Sequence, residues 1–176
     1  MNINFEIASE RPPCPTAYGE RTGASIPAAI HLKSILVPLD FSDLSLKSLR
    51  YAAAFAEQFG ARLTLLHILT MPVCPSDFPY PGPLGQDHCA SVERRLKEIR
   101  EAHLPGDLAV DVLVRQGFIF DGILEVAREL RPDLIILSTH GYTGLNHLVL
   151  GSAAENIVRR APCPVMVVRE MEQDFV

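Results

Sequence analysis

Five short apolar runs alternate with four longer segments of helical periodicity along most of this 176-residue chain, and that order admits few folds. Strand and helix in strict alternation, β-α-β-α-β-α-β-α-β, imply parallel strands joined by helical crossovers. The expected class is therefore α/β: a five-stranded parallel sheet with helices on both faces. The first run, Ser34-Ile-Leu-Val-Pro-Leu-Asp40, is continuously apolar, as a strand covered on both faces requires. Pro38 has no N–H for a ladder and belongs at the strand's end, which leaves Asp40 at its C-terminal tip.

The other elements follow from period and punctuation. Ser42 is a good N-cap for a helix over about 43–59, whose inward stripe is Leu49, Ala52, Ala53 and Ala56, and Gly60 is its stop. Arg62 to Leu69 reads as the second strand. Residues 70–85 are Pro-rich, which excludes helix, and read as a surface loop or, through Cys74, Asp77, Phe78 and Tyr80, as a cover for a ligand. A strongly charged helix over 86–103 offers only Val92, Leu96 and Ile99 for burial, and its charged face reads as solvated. Leu108 to Arg115 alternates and suits an edge strand. Residues 119–131 are helical and end at Pro132. Asp133 to Leu137 is the fourth strand, 152–161 the last helix and Val165 to Arg169 the fifth strand.

Composition sets the outer bounds. At 48% hydrophobic and 21% charged, the chain has the material for one folded domain. Its net charge of −5 argues against nucleic acid or an anionic membrane surface as a partner. No apolar run approaches the ~20 residues that span a bilayer. Glu6, Glu10 and Arg11 interrupt any leader-like apolar stretch. Cys14, Cys74, Cys89 and Cys163 show no metal-like spacing, so no metal site is expected. A cytoplasmic location with reduced thiols is the expectation. Residues 1–31, rich in Pro and without periodicity, read as a flexible extension. The folded domain is expected over 32–170, followed by a tail at 171–176.

One stretch after the fourth strand carries chemistry. Ser138-Thr-His-Gly-Tyr-Thr-Gly-Leu-Asn-His-Leu-Val-Leu-Gly-Ser152 holds Gly141, Gly144 and Gly151 and opens onto a helix. Glycines let a backbone approach an anion closely, and a helix N-terminus offers free N–H groups to it. Spacing alone leaves two readings, a phosphate-binding loop or a glycine-containing loop without a ligand. Asp40 likewise reads as a ligand or as a turn residue ahead of the first helix. With strand order 3-2-1-4-5, strands one and four are neighbours at the topological switch point, where such sheets bind ligands. An acidic tip beside a phosphate loop is what a nucleoside phosphate needs.

At this point the chain resembles the universal stress proteins, in their ATP-binding branch, over about residues 32–170. The resemblance rests on Ile35-Leu-Val-Pro-Leu-Asp40, Leu65-Leu-His-Ile68, Gly117, Asp133-Leu-Ile-Ile-Leu137, Gly141-x9-Gly151-Ser152 and Pro162-Cys-Pro-Val165. The family's nucleotide motif is G-x2-G-x9-G-(S/T), and here Ser138 stands in place of its first glycine. The resemblance implies an adenine nucleotide α-hydrolase-like, Rossmann-like fold. It implies ATP as ligand, with magnesium or manganese expected by charge compensation. Asp40 and the backbone of Ile68 would hold the adenosine, and Pro38 would shape the adjoining wall. His140, Gly141, Gly144, Gly151 and Ser152 would surround the phosphates. The Cβ of Ser138 would narrow the approach to ribose or phosphate, or its hydroxyl would replace a water-mediated contact. The resemblance further implies a homodimer through the last strand, Val165 to Arg169, and a nucleotide-dependent regulator or sensor in the stress response.

Two other functions compete with that reading. One is a slow ATP hydrolase or nucleotidyl-transfer enzyme. No GxxxxGK[ST] lysine is present and no general base is evident beside the loop unless His140 serves, so no catalytic residue is assigned. The other is a dimeric interaction module that binds no nucleotide, favoured by Ser138. His140 and His147 have no acid or Cys at ligand spacing and read as polar loop residues. His67 reads as a core histidine. A phosphorelay receiver is rejected, because no Lys follows the last strand to match Asp40 and Asp43.

Overall fold

The computed structural model describes residues 30–70, 86–139, 152–169 and 176. Among them are β1 (Ser34–Pro38), α1 (Asp43–Phe59), β2 (Arg62–Leu69), α2 (Gln86–His103), β3 (Val110–Gln116), α3 (Ile119–Leu130), β4 (Leu134–Ser138), α4 (Ser152–Arg160) and β5 (Val165–Val168). The strands form one parallel sheet in the order β3-β2-β1-β4-β5, as the alternation predicts.

Alternate residues of the central strands face opposite layers, so one strand serves two cores. Ile35, Val37, Leu63, Leu65 and Ile136 meet Leu49, Ala52 and Ala56 of α1 and Leu96 of α2. Leu36, Leu66, Ile68, Ile135 and Leu137 meet Ile123, Val126 and Ala127 of α3 and Ala154 and Ile157 of α4. The small residues on α1 let it lie close to the sheet. Ser45 and Ser48 are also buried there, and their hydroxyls donate to the carbonyls of Ser42 (2.8 Å) and Ser45 (2.7 Å). Buried hydroxyls are tolerated because these bonds satisfy them. On α2 only Leu96 is wholly buried, which matches its narrow stripe.

The helix ends behave as their residues require. Ser42 caps α1 by accepting from Ser45 N. Gly60 closes α1 in the left-handed region (φ 66°), its N–H reaching Ala56 O, a conformation glycine adopts without steric cost. Arg131 takes the same role for α3 (φ 49°), since Pro132 disfavours a further helical residue before it.

Several boundaries differ from the sequence reading; β3 runs one residue further, to Gln116, and β5 stops at Val168 rather than Arg169. β3 begins at Val110, not Leu108, because Leu108 N–H turns back to Pro105 O. β4 begins at Leu134, because the Asp133 carboxylate is engaged by Lys33 and Ser34. It ends at Ser138, which pairs with Val168 and so belongs to the strand. The expected extension at 1–31 (apart from its last two residues), the Pro-rich loop at 71–85 and most of the tail lie outside the described residues.

Candidate functional site at the strand tips

β1 and β4 pair at Ile35↔Leu134 and Leu36↔Ile135, toward the N-terminal half of β1. Beyond these positions the two strands make no further pairs with each other and pair only with β2 and β5. A crevice of this kind forms where the chain leaves neighbouring strands in opposite directions. Pro38 ends β1 opposite Leu66, and Leu39 N–H donates to Leu66 O at 2.8 Å. Ile68 lies one residue before the end of β2, buried, with its side chain against Gly122 of α3. Ser138, half-buried, ends β4. The N-terminus of α4, at Ser152, reaches the same sheet edge by connectivity, since α4 links two parallel strands. Pro38, Asp40, Ile68, Ser138 and the start of α4 thus share one edge. His140, Gly141, Gly144 and Gly151 lie outside the described residues.

Asp40 makes the turn that one of its two sequence readings describes. Its Oδ1 accepts from Ser42 N at 3.0 Å and from Ser42 Oγ at 2.6 Å, an Asx-type turn that leads into α1. Its Oδ2 is buried and has no hydrogen-bond partner among the described residues. An orphaned buried carboxylate oxygen is costly, and a donor arriving from a ligand relieves that cost.

Sequence reasoning missed the residues around this carboxylate. Phe41 has a left-handed backbone (φ 68°), uncommon for a bulky side chain. Its ring stacks on His67, with centroids 4.4 Å apart and planes at 24°. The guanidinium carbon of Arg95 lies 4.1 Å from the ring centroid. His67 Nδ1 lies 2.7 Å from Leu39 O, which makes Nδ1–H the donor. Burial pushes the His67 pKa below its ordinary value, with Arg95 and His88 adding to that effect. The Leu39 hydrogen bond and the Asp40 charge oppose it. His67 is hydrogen-bonded as the sequence suggests, but it is half-buried rather than part of the core, and it borders the strand tip. Arg95 had no distinguishing signal among the charges of α2. A cleft of about 390 Å³ opens between Phe41 and the α2 residues His88, Ser91, Val92, Arg94, Arg95 and Glu98. None of the residues read as nucleotide ligands lines it.

Elsewhere, Cys89 receives a bond from Gln116 Nε2 at 3.1 Å. Burial raises the Cys163 thiol pKa, and the charge of Asp133 adds to the shift, so this thiol is held in its unreactive form.

The sheet order defines a doubly wound α/β protein whose topological switch point lies between the first and fourth strands. A model of the universal stress protein family matches residues 31–169, and the chain belongs to that family. A universal stress protein of Thermus aquaticus is 33% identical over 143 residues, covering 78% of this chain and 98% of its own length. Among solved structures, UspA from Lactobacillus plantarum superposes with a TM-score of 0.63 at 23% identity, covering 80% of this chain and 100% of that one. A universal stress protein in complex with cAMP gives a TM-score of 0.59 at 21% identity, over 80% of this chain and 98% of that one. One from Archaeoglobus fulgidus in complex with dAMP gives 0.53 at 22% identity, over 80% and 100%. These structural likenesses are to the fold. No described helix is long and apolar enough to cross a membrane.

Proposed function

We propose that this universal stress protein binds an adenine nucleotide, ATP, at the β1–β4 crevice and acts as a dimeric, nucleotide-dependent regulator of the stress response. The observation that carries this reading is Asp40 Oδ2, a buried acceptor without a partner at the strand tip. Adenosine supplies donors of the kind it lacks, and solved relatives of the same fold are complexes with cAMP and dAMP. In this reading Asp40 and the Ile68 backbone hold the nucleoside and Pro38 forms the wall. Ser138, His140, Gly141, Gly144, Gly151 and Ser152 surround the phosphates. Backbone N–H groups at the start of α4 suit the anion. Magnesium or manganese accompanies the triphosphate through the phosphate oxygens.

The dimer forms through β5, an edge strand whose Val165, Met166 and Val167 are only half-buried, since an open ladder favours pairing with a second copy. The chain acts in the cytoplasm as a regulator, not as an enzyme. The reading is tested by mass spectrometry of the protein purified without added nucleotide, then by titration with a fluorescent ATP analogue. Co-purified ATP or ADP and saturable binding are expected. Asp40→Ala should weaken binding by about 10- to 100-fold, the loss of one hydrogen bond to a charged group. No saturable binding up to about 1 mM would leave the interaction-module reading, which Ser138 favours.

A further inference from the structure

One of the two left-handed non-glycine residues among those described lies next to the orphaned carboxylate. Phe41 occupies the left-handed region at φ 68°, where glycine or asparagine is the ordinary occupant. Phenylalanine has no polar group to bond its own backbone there, so its conformation must be held from outside. The ring contacts are the means: the imidazole of His67 from β2 at 4.4 Å and the guanidinium of Arg95 from α2 at 4.1 Å. His67 is itself tied to the carbonyl of Leu39, whose N–H is tied to Leu66. The residues before and after Asp40 are therefore both fixed by groups outside the turn. Within it, Ser42 holds Oδ1. Among the buried side-chain polar atoms of the described residues, Oδ2 is the one left without a partner.

We propose that Arg95 and His67, acting through the Phe41 ring and the Leu39 carbonyl, are positioning residues that hold the Asp40 carboxylate in its ligand-accepting orientation. This rests on the nucleotide reading above and adds to it residues that touch no ligand. It also places helix α2 in mechanical contact with the strand tip. Simple space-filling does not account for the arrangement. Phe41 is only half-buried, and an apolar residue with ordinary backbone would fill the same edge without strain. Ring stacking and a cation over the ring are directional, and they fix the ring's orientation as well as its burial.

The test uses the full chain with 13C-labelled aspartate and follows the Asp40 13Cγ resonance without nucleotide, then ATP affinity. Arg95→Ala should shift that resonance and weaken ATP binding by about two- to fivefold, the worth of an exposed cation–π contact. Arg95→Lys should restore most of the loss. Phe41→Gly adopts the same backbone without strain, so it keeps the fold. It should weaken binding by about tenfold. Lys97→Ala removes a charge of α2 that pairs with Glu93 at 2.6 Å and should change neither readout. In an Asp40→Asn background, Arg95→Ala should have no further effect on affinity, because the two act through one group. An unmoved Asp40 resonance in both Arg95→Ala and Phe41→Gly overturns the proposal, as does full additivity with Asp40→Asn. If the wild-type chain binds no ATP, the nucleotide reading fails, and the carboxylate resonance in the free protein decides the positioning role alone.

Discussion

The Nδ1 of His67 lies 2.7 Å from the carbonyl oxygen of Leu39, so a side chain of β2 holds the last peptide carbonyl before Asp40. Because that carbonyl only accepts, the ring carries its proton on Nδ1, and Phe41 stacks against the same ring. A strand residue two positions from the end of β2 thereby shapes the tip of β1. Four physical consequences of this and neighbouring contacts are open to measurement.

Burial lowers the pKa of His67 in the folded chain below its ordinary value of 6.5. The unfolded chain then binds a proton that the folded chain refuses. Stability falls as pH drops below about 6.5, and the loss levels off once pH passes the lower folded pKa. Asp40 moderates the effect, and Arg95 and His88 reinforce it. Urea midpoints from pH 8 to 5 should show this decline. His67→Phe keeps an aromatic ring but cannot titrate. It should be destabilised by about 1 kcal/mol at pH 8, where the Leu39 bond is lost, and should show a flatter profile. An unchanged slope in that variant would count against His67 as the source.

Ser42 accepts from Ser45 N at 3.1 Å and donates to Asp40 Oδ1 at 2.6 Å. Ser42→Ala removes both and should lower stability by about 1–2 kcal/mol, the range for a lost N-cap. Ser42→Asp supplies an equally good cap in isolation but sets a second carboxylate beside Asp40 and takes away its donor. Chemical denaturation should find Ser42→Asp less stable than the wild type. A neutral or stabilising result would show that the link to Asp40 contributes nothing.

At the opposite sheet edge, Asp133 Oδ2 accepts from Lys33 N (2.8 Å), Ser34 N (2.9 Å) and Ser34 Oγ (3.2 Å). These bonds, led by the Lys33 amide, hold its pKa below the usual carboxylate range. The stability they add is present above about 3.8 and is lost as pH falls through the lower folded value. Asp133→Asn should cost about 1 kcal/mol at neutral pH, a modest figure because solvent screens this exposed carboxylate. Acid unfolding curves of the two proteins should converge as the pH is lowered. Curves that stay parallel would contradict the assignment.

Gly122 lets α3 lie against β2: a Cβ there would sit 2.9 Å from Cδ1 of Ile68. Cδ1 is the mobile end of a side chain, and Ala is favoured over Gly within a helix by about 1 kcal/mol. Gly122→Ala should therefore be near neutral in thermal unfolding. Gly122→Val cannot be relieved by one rotation and should cost about 1–3 kcal/mol. Ile68→Ala should recover part of that loss in the double variant, and no recovery would place the clash elsewhere.

The strands were legible because a central parallel strand leaves no face for polar residues. Ile35-Leu-Val37 and Ile135-Ile-Leu137 are buried on alternating sides, as their composition demands. Helix α2 was legible from its thin apolar stripe, of which Leu96 is the only wholly buried member. Boundaries shifted where side chains took over backbone partners, as Asp133 does at the start of β4. Asp40 was legible as a tip residue, but its chemistry was not. That one oxygen is committed to Ser42 and the other to nothing depends on a turn whose geometry no periodicity encodes.

The sequence by itself determined the alternation, the parallel sheet and the edge at which Pro38, Asp40, Ile68 and Ser138 gather, because periodicity, turn residues and the right-handed crossover leave little choice. Only the tertiary structure decided that Phe41, His67 and Arg95 meet around Asp40. They come from a turn, a strand and a helix far apart in the chain. Stacking and cation–π contacts depend on distances and ring planes, which packing creates and residue order does not contain.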